Sequence, residues 1–237
     1  MPVTGFSAQN NLSMKFAKLA LAAIAVLVLS SCGATKYVSG VDTSAINSMA
    51  LVGPVSDIDL ILEDQYLRDD GLSTVSRTIV RDALMTSGLP ITVELNPGGW
   101  YDSARLIDDI RALSSVYPKH LERYTPTPAV RDFLLENGSR YGVLMYANGF
   151  RRDRSDYLKR SVFLLIFDIV ASIVFPGTVS VYTADSFQAS NLYMMVVDAQ
   201  EDKILYYKKI ERAVGSPVDE DDVADRVRRM VKKYYRQ

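Results

Sequence analysis

Two runs decide the fold of this chain: Asn191-Leu-Tyr-Met-Met-Val-Val-Asp198 and Lys203-Ile-Leu-Tyr-Tyr-Lys-Lys-Ile-Glu-Arg212. Both are rich in the β-branched and aromatic residues that favour strands, and the short polar stretch Ala199-Gln-Glu-Asp202 separates them. Strand-like runs joined by a short polar connection predict an antiparallel hairpin. The remaining elements are predicted outward from this hairpin.

Further strands are predicted upstream of the hairpin. Residues 141–147 are a nearly continuous apolar run that follows the helix stop Asn137-Gly138, which indicates a central strand covered on both faces. Residues 48–53 and 91–95 predict two more strands. The alternating Ile58, Leu60 and Leu62 leave residues 57–70 ambiguous in type.

Four amphipathic helices are predicted from the 3.6-residue recurrence of apolar side chains, at 72–87, at about 103–115, from the cap Thr127-Pro128, and from the cap Ser216-Pro217. The first helix is expected to bury Leu72, Val75, Ile79, Ala83 and Leu84. Helices alternating with strands predict an α/β domain in which a mixed sheet is flanked by helices.

The N-terminal segment has the layout of a secretory signal peptide. Met14-Lys15-Phe16-Ala17-Lys18 is a positive region, and Leu19 to Leu29 is apolar. About 11 apolar residues are too few to span a bilayer core of roughly 30 Å. The segment ends in Leu29-Ser30-Ser31-Cys32, which resembles the bacterial lipobox and contains the only cysteine. This resemblance implies cleavage before Cys32 and lipidation of its thiol.

The leader defines the expected organisation of the chain. Residues 1–31 are predicted to be the signal peptide, with translation starting at Met14, and residues 32–46 a lipidated tether. Residues 47–237 are predicted to form a single α/β domain with a hydrophobic insertion at 161–181. The residue after Cys32 is Gly33 rather than aspartate, so we expect a lipid anchor in the outer membrane. No acidic run that would signal export to the cell surface follows Cys32, so we expect the protein on the periplasmic face.

The charge balance argues against one class of partner. The chain has 27 basic and 28 acidic side chains, and two of the basic ones lie in the leader. A predicted mature chain with a slight acidic excess does not fit a nucleic-acid-binding protein, which normally has a basic excess.

The insertion is the candidate docking segment. Its apolar part before Pro176 is about 14 residues, a helix of about 21 Å, and Asp168 lies near its middle, so a membrane-spanning helix is not expected. Three interpretations stay open: a buried core element, a hairpin turning at Pro176-Gly177 that inserts into a membrane or forms an oligomer, and a lid for a partner or ligand. The side chains proposed for membrane or partner docking are Phe163, Leu164, Phe167, Ile169 and Phe175.

A second candidate site is the loop from Asn96 to Trp100. Its sequence Asn-Pro-Gly-Gly-Trp can cradle a phosphate or a sugar, with the Trp100 ring stacking on the ligand, or it can be an ordinary turn.

No catalytic or metal-binding pattern stands out. His120 is the only histidine and is expected in a solvated loop, and no Gly-x-Ser-x-Gly elbow is present. Histidine or thiol metal sites lack enough ligands. The acidic pairs Asp57-x-Asp59, Asp69-Asp70 and Asp108-Asp109 can bind a hard cation or share a proton, or they can occupy solvated helix and turn positions. We therefore predict no catalytic residue, no metal and no cofactor.

Three stretches together resemble a known group: Ala50-Leu51-Val52, Thr127 to Val130 with Tyr141 to Leu144 after it, and Leu192 to Asp198 continuing through Asp202 to Tyr207. They are similar to small envelope lipoproteins related to the curli-secretion lipoprotein and the TolB amino-terminal domain. The resemblance implies a three-layer α/β fold and a non-enzymatic role in envelope assembly, secretion or scaffolding, through a homo-oligomer or a protein partner. The chain departs from the group at residues 161–181. The alternative is a periplasmic module that binds a small ligand near Asn96 and Trp100.

Overall fold

The computed structural model describes residues 35–37, 45–63, 65–155, 157–158 and 187–234. The described elements belong to one compact unit, residues 34–237. They are β1 (Thr35–Tyr37), β2 (Met49–Val52), β3 (Val55–Leu62), β4 (Gln65–Arg68), α1 (Asp70–Met85), β5 (Ile91–Leu95), α2 (Ser103–Arg111), α3 (Pro128–Glu136), β6 (Tyr141–Arg152), β7 (Gln188–Asp198), β8 (Lys203–Val214) and α4 (Glu220–Tyr234).

These strands form one mixed sheet in the order β1-β8-β7-β6-β2-β5. β6, β7 and β8 pair antiparallel, whereas β2 is parallel to both β5 and β6. The far half of β6 pairs in parallel with β3, which carries β4 on its other edge. The sequence Gly53-Pro54 separates β2 from β3, because proline has no N–H to continue the ladder. The predicted mixed sheet and the 191–212 hairpin are confirmed.

Helices cover both faces of the sheet. One core contains Met194 and Val196 of β7 together with apolar residues of α1 and α4. The other contains Met195 and Val197 with apolar residues of α2 and α3. Because strand side chains alternate between faces, β7 serves both cores, and the expected three layers are observed.

The ambiguous stretch 57–70 resolves into strands β3 and β4 and the first residue of α1. The predicted buried stripe of α1 is partly wrong. Val75 is 47% exposed, whereas Val80, Ser73 and Ser76 are buried. The Ser73 hydroxyl accepts the backbone N–H of Ile58 at 2.9 Å, so small polar residues bring α1 close to β3 and satisfy its backbone.

The predicted start of the last helix at Ser216 is also wrong. Helix α4 begins at Glu220, and the carboxylate of Asp219 accepts the N–H of Asp222 at 3.0 Å. The carbonyl of Ser216 instead accepts the N–H of Asp219 and a guanidinium N–H of Arg226, so this serine belongs to a preceding turn.

Several predictions lie outside the described residues. They concern the lipobox with Cys32 and the insertion 161–181 with its five docking side chains. Among the helices that the structure describes, none combines the length and apolarity needed to cross a membrane.

Candidate functional site

A cleft lies where the chain leaves two neighbouring parallel strands. The ends of β2 and β5 are side by side, and the N–H of Gly53 donates to the carbonyl of Leu95 at 2.9 Å. After β2 the chain passes through the β3–β4 hairpin to α1 on one face of the sheet, whereas after β5 it turns to α2 on the other face. Diverging connections at the carboxyl ends of parallel strands leave a crevice, the usual ligand site of open α/β sheets.

Four guanidinium groups line this crevice, which we call the arginine cleft and which has a volume of about 720 Å³. They come from β4, α1 and α2, and they are Arg68, Arg77, Arg81 and Arg111. Glu94 is the one acidic residue among the described residues of the lining. Most charged side chains of the described lining are therefore cationic.

Asp57 organises one side of the arginine cleft from behind the lining. Its carboxylate accepts N–H bonds from Arg111 at 2.8 and 3.2 Å, pairs with Arg68 at 2.7 Å, and accepts the hydroxyl of Tyr146 at 3.1 Å. Burial raises the pKa of Asp57, but the hydrogen bond from Arg111 and the charges of Arg111 and Arg68 outweigh it and lower the pKa overall. One ionised carboxylate thus positions two guanidinium groups.

The pKa of Asp59 moves in the opposite direction. Burial and the neighbouring charge of Asp57 raise the pKa of this carboxyl. The charge of Arg68 opposes that shift, but less strongly. Because Asp57 is already held by two guanidinium groups, the pair Asp57-x-Asp59 has little capacity left for a cation.

The other arginines of the cleft differ in how firmly they are held. Arg81 donates through Nε to both carboxylate oxygens of Glu94 at 2.8 Å. Arg77 is exposed and makes no ion pair within the described part of the chain. The outer carboxylates Asp70 and Asp108 are 91% and 71% exposed, so solvent screens their pairs with Arg68 and Arg111. An incoming anion can therefore compete for these N–H groups.

The predicted ligand loop is divided between two places. Asn96 lines the arginine cleft with Pro97 and Gly98, and its Oδ1 accepts the N–H of Gly98 at 2.9 Å. Trp100 is not part of the cleft lining. Its indole N–H donates to Glu136 at 2.8 Å, and its ring lies edge-on to Phe133, with ring centroids 5.2 Å apart. Trp100 therefore anchors the turn to α3, and of the two predicted ligand residues Asn96 lies in the cleft whereas Trp100 does not.

The other acidic pairs have structural contacts. Asp69 caps α1 by accepting the N–H of Leu72 at 2.9 Å, and Asp109 accepts the hydroxyl of Thr127 at 2.6 Å. His120 is exposed, as predicted. In the described ranges, no three His, Cys, Asp or Glu side chains are grouped so that they could hold a metal ion.

None of the four arginines of the cleft is predicted from the sequence. A usable signal existed for two of them, since Arg77 and Arg81 are four residues apart and share one face of α1. Arg68 and Arg111 reach the same cleft from other elements, and nothing in their local sequence indicates this.

No protein-family profile matches this chain, and no curated protein matches it significantly. Solved structures with a distant likeness include a PelC dodecamer variant from Paraburkholderia phytofirmans, with a TM-score of 0.37 and 9% identity over 84% of this chain and 95% of that one. A DUF4136 family protein from Bacteroides thetaiotaomicron has a TM-score of 0.34 and 8% identity over 85% and 94%. A homolog of the neuraminyllactose-binding hemagglutinin from Helicobacter pylori has a TM-score of 0.34 and 8% sequence identity, and the match covers 84% of this chain and 87% of that one.

With TM-scores this low, the likeness to these structures does not indicate the activity, the partners or the assembly of this chain. The resemblance to the curli-secretion and TolB group stays a prediction.

Proposed function

We propose that this chain is a lipid-anchored binding protein of the bacterial envelope, and that its arginine cleft takes an anionic ligand. The observation that carries the proposal is the convergence of four guanidinium groups at the diverging ends of β2 and β5. The proposal assigns the protein a binding role rather than catalysis, and it selects the small-ligand alternative of the sequence analysis.

The chemistry of the cleft favours phosphate or carboxylate oxygens. Guanidinium groups present N–H donors in a planar fork that matches both groups. The volume of about 720 Å³ is within the range of small-molecule sites, which is about 300–1,000 Å³. Arg77 is exposed and has no ion pair within the described residues, so its guanidinium group is available to a ligand. An anion that displaces the exposed carboxylates of Asp70 and Asp108 can reach further N–H donors on Arg68 and Arg111.

The binding experiment uses inorganic pyrophosphate as the probe, followed by NMR and titration calorimetry on the full chain. We expect saturable shifts of the backbone amides of Gly53, Asn96 and Gly98, which line the cleft. Arg77→Gln should lower the affinity about tenfold, the effect of losing one charge-assisted contact of about 1.4 kcal/mol.

Arg105→Gln is the matched control, because Arg105 lies on α2, is 59% exposed, and is not part of the lining. The proposal fails if pyrophosphate leaves these amides unmoved, or if Arg77→Gln and Arg105→Gln weaken binding equally.

The anchor is tested separately by metabolic labelling with an alkyne fatty acid and by fractionation of the envelope. Cys32→Ser should abolish the label and release the protein from the membrane fraction, since lipid attachment requires the thiol. A labelled Cys32→Ser protein would contradict the lipid anchor without affecting the cleft.

Assembly through residues 161–181 also stays a prediction of the sequence. Light scattering coupled to size exclusion gives the molar mass of the detergent-extracted protein. If residues 161–181 hold an oligomer together, their deletion should reduce that mass to the mass of a monomer. An oligomer that survives the deletion contradicts it.

A further inference from the structure

A second cavity, distinct from the arginine cleft, lies between the sheet and the layer that contains α2 and α3. Its volume is about 310 Å³, and it shares no lining residue with the cleft. Its floor consists of side chains from three adjacent strands, each at most 5% exposed, namely Leu144, Met195, Val197 and Ile204. We call it the apolar cavity.

The size and the walls of the apolar cavity fit a small molecule better than a protein segment. A helix with its side chains is about 10–12 Å wide, and a space of this volume cannot admit one. Apolar walls also hold ordered water poorly, because a buried water needs two to four polar partners. The floor belongs to the strands β6, β7 and β8, whose lining side chains are fixed in the core of the sheet.

One charged group lines the apolar cavity. Asp109 is its one charged residue within the described lining. The carboxylate accepts the hydroxyl of Thr127 through Oδ2 at 2.6 Å, and Thr127 in turn accepts the N–H of Val130 at 3.4 Å. The other oxygen of Asp109 has no hydrogen bond among the described residues and can accept one from a ligand.

From this arrangement we infer that the apolar cavity binds a small apolar molecule that is neutral or cationic and that carries a hydroxyl or amine donor. The donor bonds to Asp109, and the apolar body lies on the strand floor. An anionic head group is disfavoured because it would meet the carboxylate of Asp109. This inference is independent of the arginine cleft, whose ligand has the opposite charge.

The test uses three probes that share one ring system: 2-naphthylmethanol, 2-naphthylmethylamine and 2-naphthoate. Binding to the detergent-extracted full chain is followed by NMR of the methyl groups of Met195, Val197 and Ile204. The alcohol and the amine should give saturable shifts, and the carboxylate should bind at least tenfold more weakly. Asp109→Asn should remove this discrimination, because asparagine has no charge.

A blocking variant tests the location. Ala112 is exposed and lines the cavity, so Ala112→Trp should abolish the shifts. Ala104→Trp, at an exposed position of α2 outside the lining, is the matched control and should bind normally. The inference is overturned if no probe saturates, if naphthoate binds as well as the alcohol, or if Ala112→Trp binds like Ala104→Trp while both melt as the wild type does.

Discussion

The substitution Asp57→Asn is expected to make the domain less stable. A hydrogen bond to a charged group contributes about 1.5–3 kcal/mol. Asp57 is 18% exposed and makes such contacts with Arg68 and Arg111, but these partners are 50% and 33% exposed, and solvent screening weakens each pair. Asparagine keeps one acceptor oxygen. We therefore expect a loss of about 2 kcal/mol, or about 4–8 °C in Tm for a domain of this size.

The same substitution should make the arginine cleft a better anion site. Without the carboxylate of Asp57, the guanidinium groups of Arg68 and Arg111 lose their common counter-charge. A unit negative charge on bound pyrophosphate and the carboxylate charge of Asp57, at about 7 Å from each other, repel by about 1 kcal/mol at an effective dielectric constant of about 40. Removal of this competing charge should raise the affinity for pyrophosphate about fivefold. Stability and affinity thus move in opposite directions.

The pH dependence of the stability loss follows from the lowered pKa of Asp57. A carboxylate whose pKa is depressed by folding stabilises the protein fully above its unfolded pKa, and this contribution is lost as pH falls through the folded pKa. The ordinary value for this carboxyl is 3.8. The stability difference between the wild type and Asp57→Asn should therefore be constant near neutral pH, should begin to shrink below about pH 4, and should be lost only as pH falls through the lower folded pKa.

The assay is urea denaturation at pH 7 and pH 3, together with calorimetric titration of pyrophosphate. The control is Asp108→Asn, because Asp108 also pairs with Arg111 but is 71% exposed, and its loss should change stability by less than about 0.5 kcal/mol. The reasoning is refuted if Asp57→Asn is as stable as the wild type at pH 7. It is also refuted if the variant binds pyrophosphate more weakly, because Asp57 would then contribute to the site rather than compete with the ligand.

Two further substitutions test contacts of the fold outside the arginine cleft. In Gly142→Ala the new Cβ would lie 2.6 Å from a methyl carbon of Leu134, so thermal melting should show a loss of about 1–3 kcal/mol in the free energy of unfolding. The control is Gly99→Ala, whose new Cβ would lie in open space and which should melt within about 2 °C of the wild type. Asp198→Asn should lower the free energy of unfolding, measured by urea denaturation, by about 2–3 kcal/mol. The reason is that this carboxylate is 5% exposed, pairs with Arg140 and accepts two backbone N–H groups of the hairpin turn. Unchanged stability would contradict that role.

The parts of the fold that could be predicted are those whose signal is local. The hairpin of β7 and β8 and the central strand β6 have apolar runs that are long enough to identify them directly. The boundaries of α1 and α4 were less accurate, because tertiary contacts decide them. Ser73 is buried since it satisfies the backbone of β3, and Ser216 belongs to a turn since its carbonyl is used by Arg226.

The arginine cleft could not be predicted in the same way. Arg68, Arg77 and Arg111 lie on three elements and meet only because the chain leaves β2 and β5 toward opposite faces of the sheet. Trp100 had the stronger local signal for a ligand, as the only tryptophan beside a glycine pair, yet its indole N–H is used by Glu136. A chemically suggestive residue type is weaker evidence than the position of a residue at a strand end.

Helix α2 shows why side-chain roles depend on the tertiary structure. Successive residues of a helix are about 100° apart, so Arg111 and Asp109 point to nearly opposite sides, whereas Leu106 and Ile110 share a side. Arg111 lines the arginine cleft, Asp109 lines the apolar cavity, and the two apolar residues pack into the core. The apolar periodicity identifies the side of α2 that faces the core, but it does not show which charged residue lines which cavity. Their roles follow from the neighbours of the helix, which are β3 with Asp57 on one side and the Thr127 cap of α3 on the other.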